Sequence, residues 1–159
     1  MSPRRPVREK QTENKDFRLL LLALYGIPNP RLLWMGELSA ELREALFRSA
    51  QTDSFVAKRR YEREVVNLMR EEDEEGLTFL QSLLEEPEQY QQQYNKSLQE
   101  YAHKLVDPDQ LAEFVEAYPT ADIQLLRQRL RNHAQKNTQK TEEQIFELLA
   151  PLLFPLDWR

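Results

Sequence analysis

The sequence predicts an all-α protein, and three features of its residue spacing support that fold class. Apolar residues recur at steps of three and four in several stretches, as they do along one face of a helix. No stretch alternates apolar and polar residues with an excess of β-branched side chains, which a half-buried strand would require. The three glycines fall at the expected ends of helical stretches. We therefore expect a compact bundle of about five to seven helices without a sheet.

Breakers and caps delimit the helices of the first half of the chain. A first helix is expected from about residue 16 to residue 25, where Gly26 stops it and the prolines just beyond block its continuation. Ser39 can cap a second helix that reaches about residue 50. A third helix, over about residues 54–70, follows it with little break.

The second half of the chain continues with prolines and N-cap residues at the expected helix starts. These signals predict, in order, a short helix over 76–84, a long helix over 87–106, a helix over 107–118 capped by Asp107, a helix reaching 134 capped by Thr120 or Asp122, and a last helix from 141 onward. Thr141 and Gln144 have the spacing of a capping box. Pro151 is expected to end or kink the last helix.

Length and composition indicate one domain. The chain has 159 residues, and a fold of that size removes roughly 70% of the unfolded surface from water. Residues 1–13 are polar, contain proline and lack periodicity, so we predict a flexible basic arm before a single helical domain over 14–159. Cysteine is absent, which excludes disulfides and thiolate metal sites. The apolar run 19–24 is too short for a signal sequence or a membrane span, so we expect a cytoplasmic protein. We also expect a monomer, with pairing of two copies through the apolar first helix as the alternative.

Residues suited to catalysis or metal binding are sparse. The two histidines are His103 and His133, and Glu100 with His103 forms the single Glu-x-x-His pair, where a two-metal site in a bundle needs two. The acidic run 71–75 is expected to favour the N-terminus of the following helix. No glycine-rich phosphate loop occurs. We therefore predict a protein that is not an enzyme, without catalytic residues, metal, cofactor or small-molecule substrate.

Three tyrosines repeat at helical spacing along the long predicted helix 87–106, at Tyr90, Tyr94 and Tyr101. Such a stripe could stack nucleic-acid bases, because each ring offers an apolar face. At this spacing, however, an aromatic stripe is more often the buried face of a helix. We expect the three rings to pack in the core.

Positive charge is concentrated in two helices although the net charge of the chain is −5. The segment 58–63 holds four cations against one glutamate, and the segment 123–141 holds five cations and no acidic residue. On a wheel of about 100° per residue, Arg59, Arg63 and Arg70 fall opposite the apolar face of their helix. That apolar face is formed by Ala57, Tyr61, Val65 and Leu68.

The second basic helix has a comparable arrangement. Its expected buried face consists of Ile123, Leu126, Leu130 and Ala134. Arg127 and Arg131 lie one turn apart at the edge of that face. Arginine binds phosphate through a planar, bidentate fork, so two such rows side by side would suit a structured RNA backbone. The alternative is that both charged faces are simply solvated.

A set of short motifs occurs in order over about residues 50–149. They are Lys58-Arg59-Arg60 in a helix that ends Leu68-Met69-Arg70, then Tyr118-Pro119-Thr120-Ala121-Asp122, then Leu126-Arg127 and Arg131-Asn132, and finally Gln144-Ile145-Phe146. In order and spacing they resemble the bacterial dual-action ribosomal maturation protein family (DarP, earlier YjgA). No single motif decides the match, which depends on the whole series.

The resemblance implies a cytoplasmic, all-helical protein without catalytic activity. It also implies association with late precursors of the large ribosomal subunit and a role in maturation of the peptidyl-transferase region. By this likeness Arg59, Arg60, Arg127, Arg131 and Asn132 become the first candidates for ribosomal RNA contact. With the residues that the helical wheels add, the candidate RNA-binding set is Lys58, Arg59, Arg60, Arg63, Arg70, Arg127, Arg131, Asn132 and Lys136.

Two segments depart from the family pattern. Family members often carry a Lys/Arg-rich first helix, whereas residues 17–25 are mostly apolar here, which argues against an RNA contact at that helix. The C-terminal segment 155–159 has no counterpart in the pattern, and we expect it to fold back and bury Trp158. The alternative is that it binds a partner.

A helical protein–protein adaptor without direct RNA binding is the alternative function. On that hypothesis the apolar first helix and the acidic faces contact a protein partner. Binding would then depend on Leu19, Leu20 or Trp34, and it would survive digestion of RNA.

Overall fold

The structure is a computed structural model that describes the backbone of residues 7–156 and the side chains of residues 13–156. Over that range it contains a 3-10 helix, Pro30–Trp34, and eight α-helices, and no strand. The α-helices are α1 Val7–Leu24, α2 Ala40–Gln51, α3 Phe55–Glu71, α4 Glu74–Glu85, α5 Pro87–Lys104, α6 Pro108–Ala117, α7 Ile123–Gln135 and α8 Gln139–Leu153. The all-α prediction is confirmed.

The predicted count of about five to seven helices is too low, because each of the eight helical stretches expected along the chain forms an α-helix of its own. Residues 52–54 divide α2 from α3, and residues 72–73 divide α3 from α4. Several predicted N-caps are confirmed, since their side chains accept hydrogen bonds from backbone N–H groups of the first helical turn. These N-caps are Ser39, Asp107 and Asp122, with Ser54 in the same role at α3.

Helix α1 begins at Val7, well before the start expected near residue 16. Residues 7–15 are mostly Glu, Lys, Gln and Arg, which favour helix even where apolar periodicity is missing. Residues 1–6 of the predicted arm and Trp158 of the predicted folded-back tail lie outside the described residues. The prediction of a flexible arm followed by one domain over 14–159 stays a prediction.

The last helix begins earlier than predicted and continues through its proline. Thr138 caps α8, and the capping box joins Thr138 with Thr141 instead of Thr141 with Gln144. Pro151 lies inside α8, which extends to Leu153. Among the described glycines none has a positive φ, so α1 ends without the left-handed residue that Gly26 could have supplied.

The chain folds into two compact units, and the boundary between them falls within α5. The first unit comprises the residues up to Tyr90 together with those from Leu156, and the second comprises residues 91–155. In the first unit α3 packs against both α1 and α2. Its fully buried side chains include Leu21, Leu42, Val65, Met69, Leu80 and Leu83. Gln51 Nε2 donates a hydrogen bond of 3.2 Å to the carbonyl of Leu156.

In the second unit α7 packs against α8, and the fully buried side chains include Leu98, Leu126, Ile145 and Leu149. The predicted core position of the tyrosines is confirmed for Tyr94, which is buried. Tyr101 is half-buried with its ring edge against Phe114, at 5.9 Å between centroids. Burial raises the pKa of Tyr101 above its ordinary value.

The tyrosine of the first unit is also engaged in packing. The ring of Tyr90 meets Phe79 edge to face, with the two centroids 5.4 Å apart. An edge-to-face pair is a favourable arrangement of two aromatic rings, so the stripe acts as packing surface. Over the described residues, the helices are too short or too polar to span a lipid bilayer.

Candidate nucleic-acid interface

Helix α3 presents a cationic face because its apolar side is anchored in the core of the first unit. Val65 and Met69, one turn apart, are fully buried. The buried face of α3 is therefore rotated toward Met69 relative to the predicted apolar face, and Leu68 is only half-buried. With that face inward, Arg59 and Arg63 point to solvent and are exposed, as predicted.

The exposed guanidinium groups of α3 line a groove with α1, which we call the α1–α3 groove. Its volume is about 210 Å³. The lining residues are Asn14 and Arg18 from α1, and Arg59, Glu62, Arg63, Val66 and Asn67 from α3. Among the described side chains, three cations from two helices therefore face one carboxylate in this groove. This excess of positive charge is suited to an anionic partner.

The three cations of the groove are not neutralised by close ion pairs. Among the side chains of residues 13–156, ion pairs within 4.0 Å join Arg48 to Glu64 and Arg129 to Glu147, and none involves Arg18, Arg59 or Arg63. A guanidinium that has no bound carboxylate keeps its donors for an incoming phosphate. The groove thus combines positive charge with available hydrogen-bond donors.

Arg70 departs from the solvent-facing row that the wheel predicts. It is half-buried, and its Nη1 donates to Asn67 Oδ1 at 3.3 Å while its Nη2 donates to Asn14 Oδ1. Its Nε is buried and has no hydrogen-bond partner among the side chains that the structure describes. Arg70 therefore links α3 to α1, and two of its nitrogens are already engaged.

The remaining basic residues near the start of α3 rest on aromatic rings. The Lys58 ammonium lies 4.7 Å from the centroid of the Tyr25 ring, and the Arg60 guanidinium lies 5.2 Å from that of Tyr61. Cation–π contacts of this kind hold the side chain in place and leave the charge intact. Arg60 remains exposed, whereas Lys58 is half-buried.

The second unit carries its own pair of exposed guanidinium groups, at Arg127 and Arg131 on α7. They lie one turn apart beside an apolar groove of about 440 Å³, which we call the α6–α7 groove. Its other lining residues are Leu105, Val106, Pro108, Leu111, Leu130 and Ala134. Asn132 and Lys136 of the predicted set are also exposed.

The expected buried face of α7 is only partly buried. Leu126 is fully buried, but Leu130 is half-buried and Ala134 is exposed. Both of these residues line the α6–α7 groove, so described side chains do not fill the space between α6 and the last turns of α7. The wheel could identify the apolar face of α7 but could not determine how far a neighbouring helix covers it.

Arg129 has a structural role although it stands between the two exposed arginines. Its Nη1 lies 3.3 Å from Glu147 Oε2 and also donates to the carbonyl of Gln144. Both partners belong to α8, so this side chain fastens α7 to α8. His133 is likewise engaged with α8, because its Nδ1 lies 2.7 Å from Thr141 Oγ1.

Replacing Arg129 by alanine is expected to lower the free energy of unfolding by roughly 1–3 kcal/mol, because a hydrogen-bonded charge between two helices is lost. Arg127→Ala is the matched control, since Arg127 is exposed and has no ion pair within residues 13–156. Its effect should stay within about 0.5 kcal/mol. Denaturant unfolding followed by circular dichroism measures both, and equal effects would contradict the role assigned to Arg129.

Sequence reasoning missed both α1 residues of the α1–α3 groove, Asn14 and Arg18, because the apolar run in residues 17–25 argued against an RNA contact at the first helix. They are four residues apart in α1, which places them on one side of that helix. This spacing was visible in the sequence. The partner helix was not, because only the packing of α1 on α3 brings Arg18 beside Arg59 and Arg63.

The sequence model of the family described as Dual-action ribosomal maturation protein DarP matches residues 8–153. The chain belongs to this family. The resemblance drawn from the motifs over residues 50–149 is therefore confirmed, and the match extends into α1 and α8. The DarP description names a role in ribosomal maturation. The α1–α3 groove and the exposed arginines Arg127 and Arg131 of α7 both lie within the matched residues.

Proposed function

We propose that the protein is a non-catalytic, cytoplasmic assembly factor that acts as a monomer. It binds ribosomal RNA of late large-subunit precursors and promotes maturation of the peptidyl-transferase region. Membership of the DarP family supports the ribosomal role. The observation that carries the RNA contact is the α1–α3 groove, where Arg18, Arg59 and Arg63 converge from two helices.

The chemistry of the α1–α3 groove fits a phosphate backbone better than a neutral ligand. Three guanidinium groups provide planar forks for phosphate oxygens, and they line a groove that is open to solvent. Side chains do not read the deep major groove of A-form RNA, so recognition would be mainly by charge and shape. Glu62 in the same groove reduces the net charge without removing the excess of cations.

The pair Arg127 and Arg131 supplies a second contact in the other unit. Both residues are exposed on one wall of the α6–α7 groove, with Asn132 and Lys136 nearby on α7 and just beyond it. One turn of helix separates the two guanidinium groups, so they can bind neighbouring phosphates of one strand. The proposed RNA-binding set thus has members in both units.

Cosedimentation with purified large-subunit precursors at increasing salt tests the proposal. Binding through phosphates releases counterions, so each contact is expected to add about 0.7–0.9 to the slope of log affinity against log salt. The three cations of the α1–α3 groove alone would give a slope of roughly −2 to −3. Binding that does not change with salt would contradict RNA contact through these residues.

The same experiment with ribonuclease treatment distinguishes the adaptor hypothesis. Exposed Leu19 on α1 favours a protein contact there. Trp34 is less suited, because the Arg43 guanidinium covers its ring at 4.1 Å from the centroid. Burial of this guanidinium lowers the pKa of Arg43. If association survives ribonuclease and is lost on Leu19→Asp, the protein is an adaptor instead.

A further inference from the structure

An exposed aromatic ring stands at the start of α3, beside the cations of the α1–α3 groove. Phe55 is the first residue of the helix, and 74% of it is exposed. The guanidinium of Arg59 lies over the ring, 5.5 Å from its centroid. A phenylalanine this exposed has most of its surface in contact with water, so its ring is accessible to a flat ligand.

Helical geometry places Phe55 on the same side of α3 as the α1–α3 groove. It precedes Arg59 by four residues and Glu62 by seven, and both of those residues line the groove. The ring therefore lies about one turn beyond Arg59, at the end of the same stripe. Val56 is similarly exposed, at 78%, but its branched aliphatic side chain offers no flat π face.

We infer that Phe55 is a stacking platform for an unpaired RNA base, while Arg59 and Arg63 bind phosphates of the same strand. This inference rests on the proposed RNA binding and specifies the class of RNA at the groove. A nucleotide matches both the ring and the arginines of this site, because its base can stack on Phe55 and its phosphate can bind a guanidinium group. An apolar protein surface would cover the ring but would also desolvate Arg59 without a partner.

The ligand expected here is a single-stranded loop, bulge or end, since a base inside a duplex has both faces stacked on its neighbours. Arg59 contributes in two ways. It holds the ring from one side, and its remaining donors face the groove where Arg63 follows one turn later. The wheel places Phe55 on the basic side of α3, four residues before Arg59, but sequence alone could not show whether another part of the fold covers the ring.

Binding of the full-length chain to short single-stranded oligouridine and to a blunt RNA duplex tests the inference. Phe55→Ala is expected to weaken binding of the single strand by roughly 5- to 150-fold, the range found when stacking on one base is lost. Binding of the duplex should change by less than about twofold, because phosphate contacts are retained. Phe55→Trp should restore binding of the single strand.

Val56→Ala is the matched control, since it removes an equally exposed apolar side chain at the next position. It should bind both RNAs as the wild type does. Equal binding of the single strand by Phe55→Ala and wild type, or an equal loss for both RNAs, would overturn the stacking platform alone. If the wild-type protein binds neither RNA, the proposed function fails together with it. Circular dichroism of each variant checks that the fold is intact.

Discussion

Reversing the charge of Arg59 and Arg63 together, as Arg59→Glu with Arg63→Glu, is expected to abolish cosedimentation with large-subunit precursors. Hydrogen bonds to charged groups contribute about 1.5–3 kcal/mol each, so losing two should lower the affinity by roughly 100-fold or more. Electrostatic repulsion of phosphate by the new carboxylates adds to the loss. The salt slope of any remaining binding should fall by about 1.5.

The fold should tolerate this double change. Both arginines are exposed and have no ion pair among residues 13–156, so helicity and the unfolding midpoint are expected to stay close to those of the wild type. Lys96→Glu with Lys140→Glu is the matched control, because it changes the net charge equally at exposed positions outside both grooves. A comparable loss of binding in the control would mean that total charge, and not the groove, governs association.

Gly36→Ala is expected to lower the free energy of unfolding by roughly 1–3 kcal/mol, through overpacking against α4. A Cβ atom at residue 36 would lie 2.2 Å from Phe79 Cδ1 and 2.3 Å from Cγ. Phe79 is buried and packs edge to face with Tyr90, so its ring has little room to withdraw. Denaturant unfolding of the variant measures the loss.

Two further variants decide whether that loss comes from the contact with the ring. Gly26→Ala is the matched control, because its Cβ would meet only the carbonyl of Ala23 at 3.4 Å, an ordinary contact distance. It should be neutral or slightly stabilising, by up to about 1 kcal/mol. Adding Phe79→Leu to Gly36→Ala should cost less than the sum of the two single changes. Additive effects would exclude the steric explanation.

The sequence was sufficient to predict most helix starts, because a cap is a local device. Ser39, Asp107 and Asp122 each bond a backbone N–H within three residues, and no tertiary information is needed to recognise them. The start of helix α1 was not predicted in this way. Its early residues favour helix by intrinsic propensity, and that preference is invisible to a search for apolar periodicity.

The candidate site was only partly predictable, since it depends on which helices are neighbours. The wheel correctly placed Arg59 and Arg63 toward solvent. It could not anticipate that Arg18 joins them from α1, or that Arg129 turns to Glu147 while the arginines beside it stay exposed. In each case the outcome was set by a partner on another helix, far away in the sequence.

The partners of Arg70 influence how a distant polyanion is attracted. Asn14 and Asn67 are neutral acceptors, so they hold the guanidinium in place without cancelling its charge, as a carboxylate would. Both asparagines also line the α1–α3 groove. Arg70 can thus extend the positive potential of this surface into the surrounding solution without touching the bound strand. Such a fixed charge raises the rate of association with the RNA, most strongly at low ionic strength, and contributes little to the lifetime of the complex.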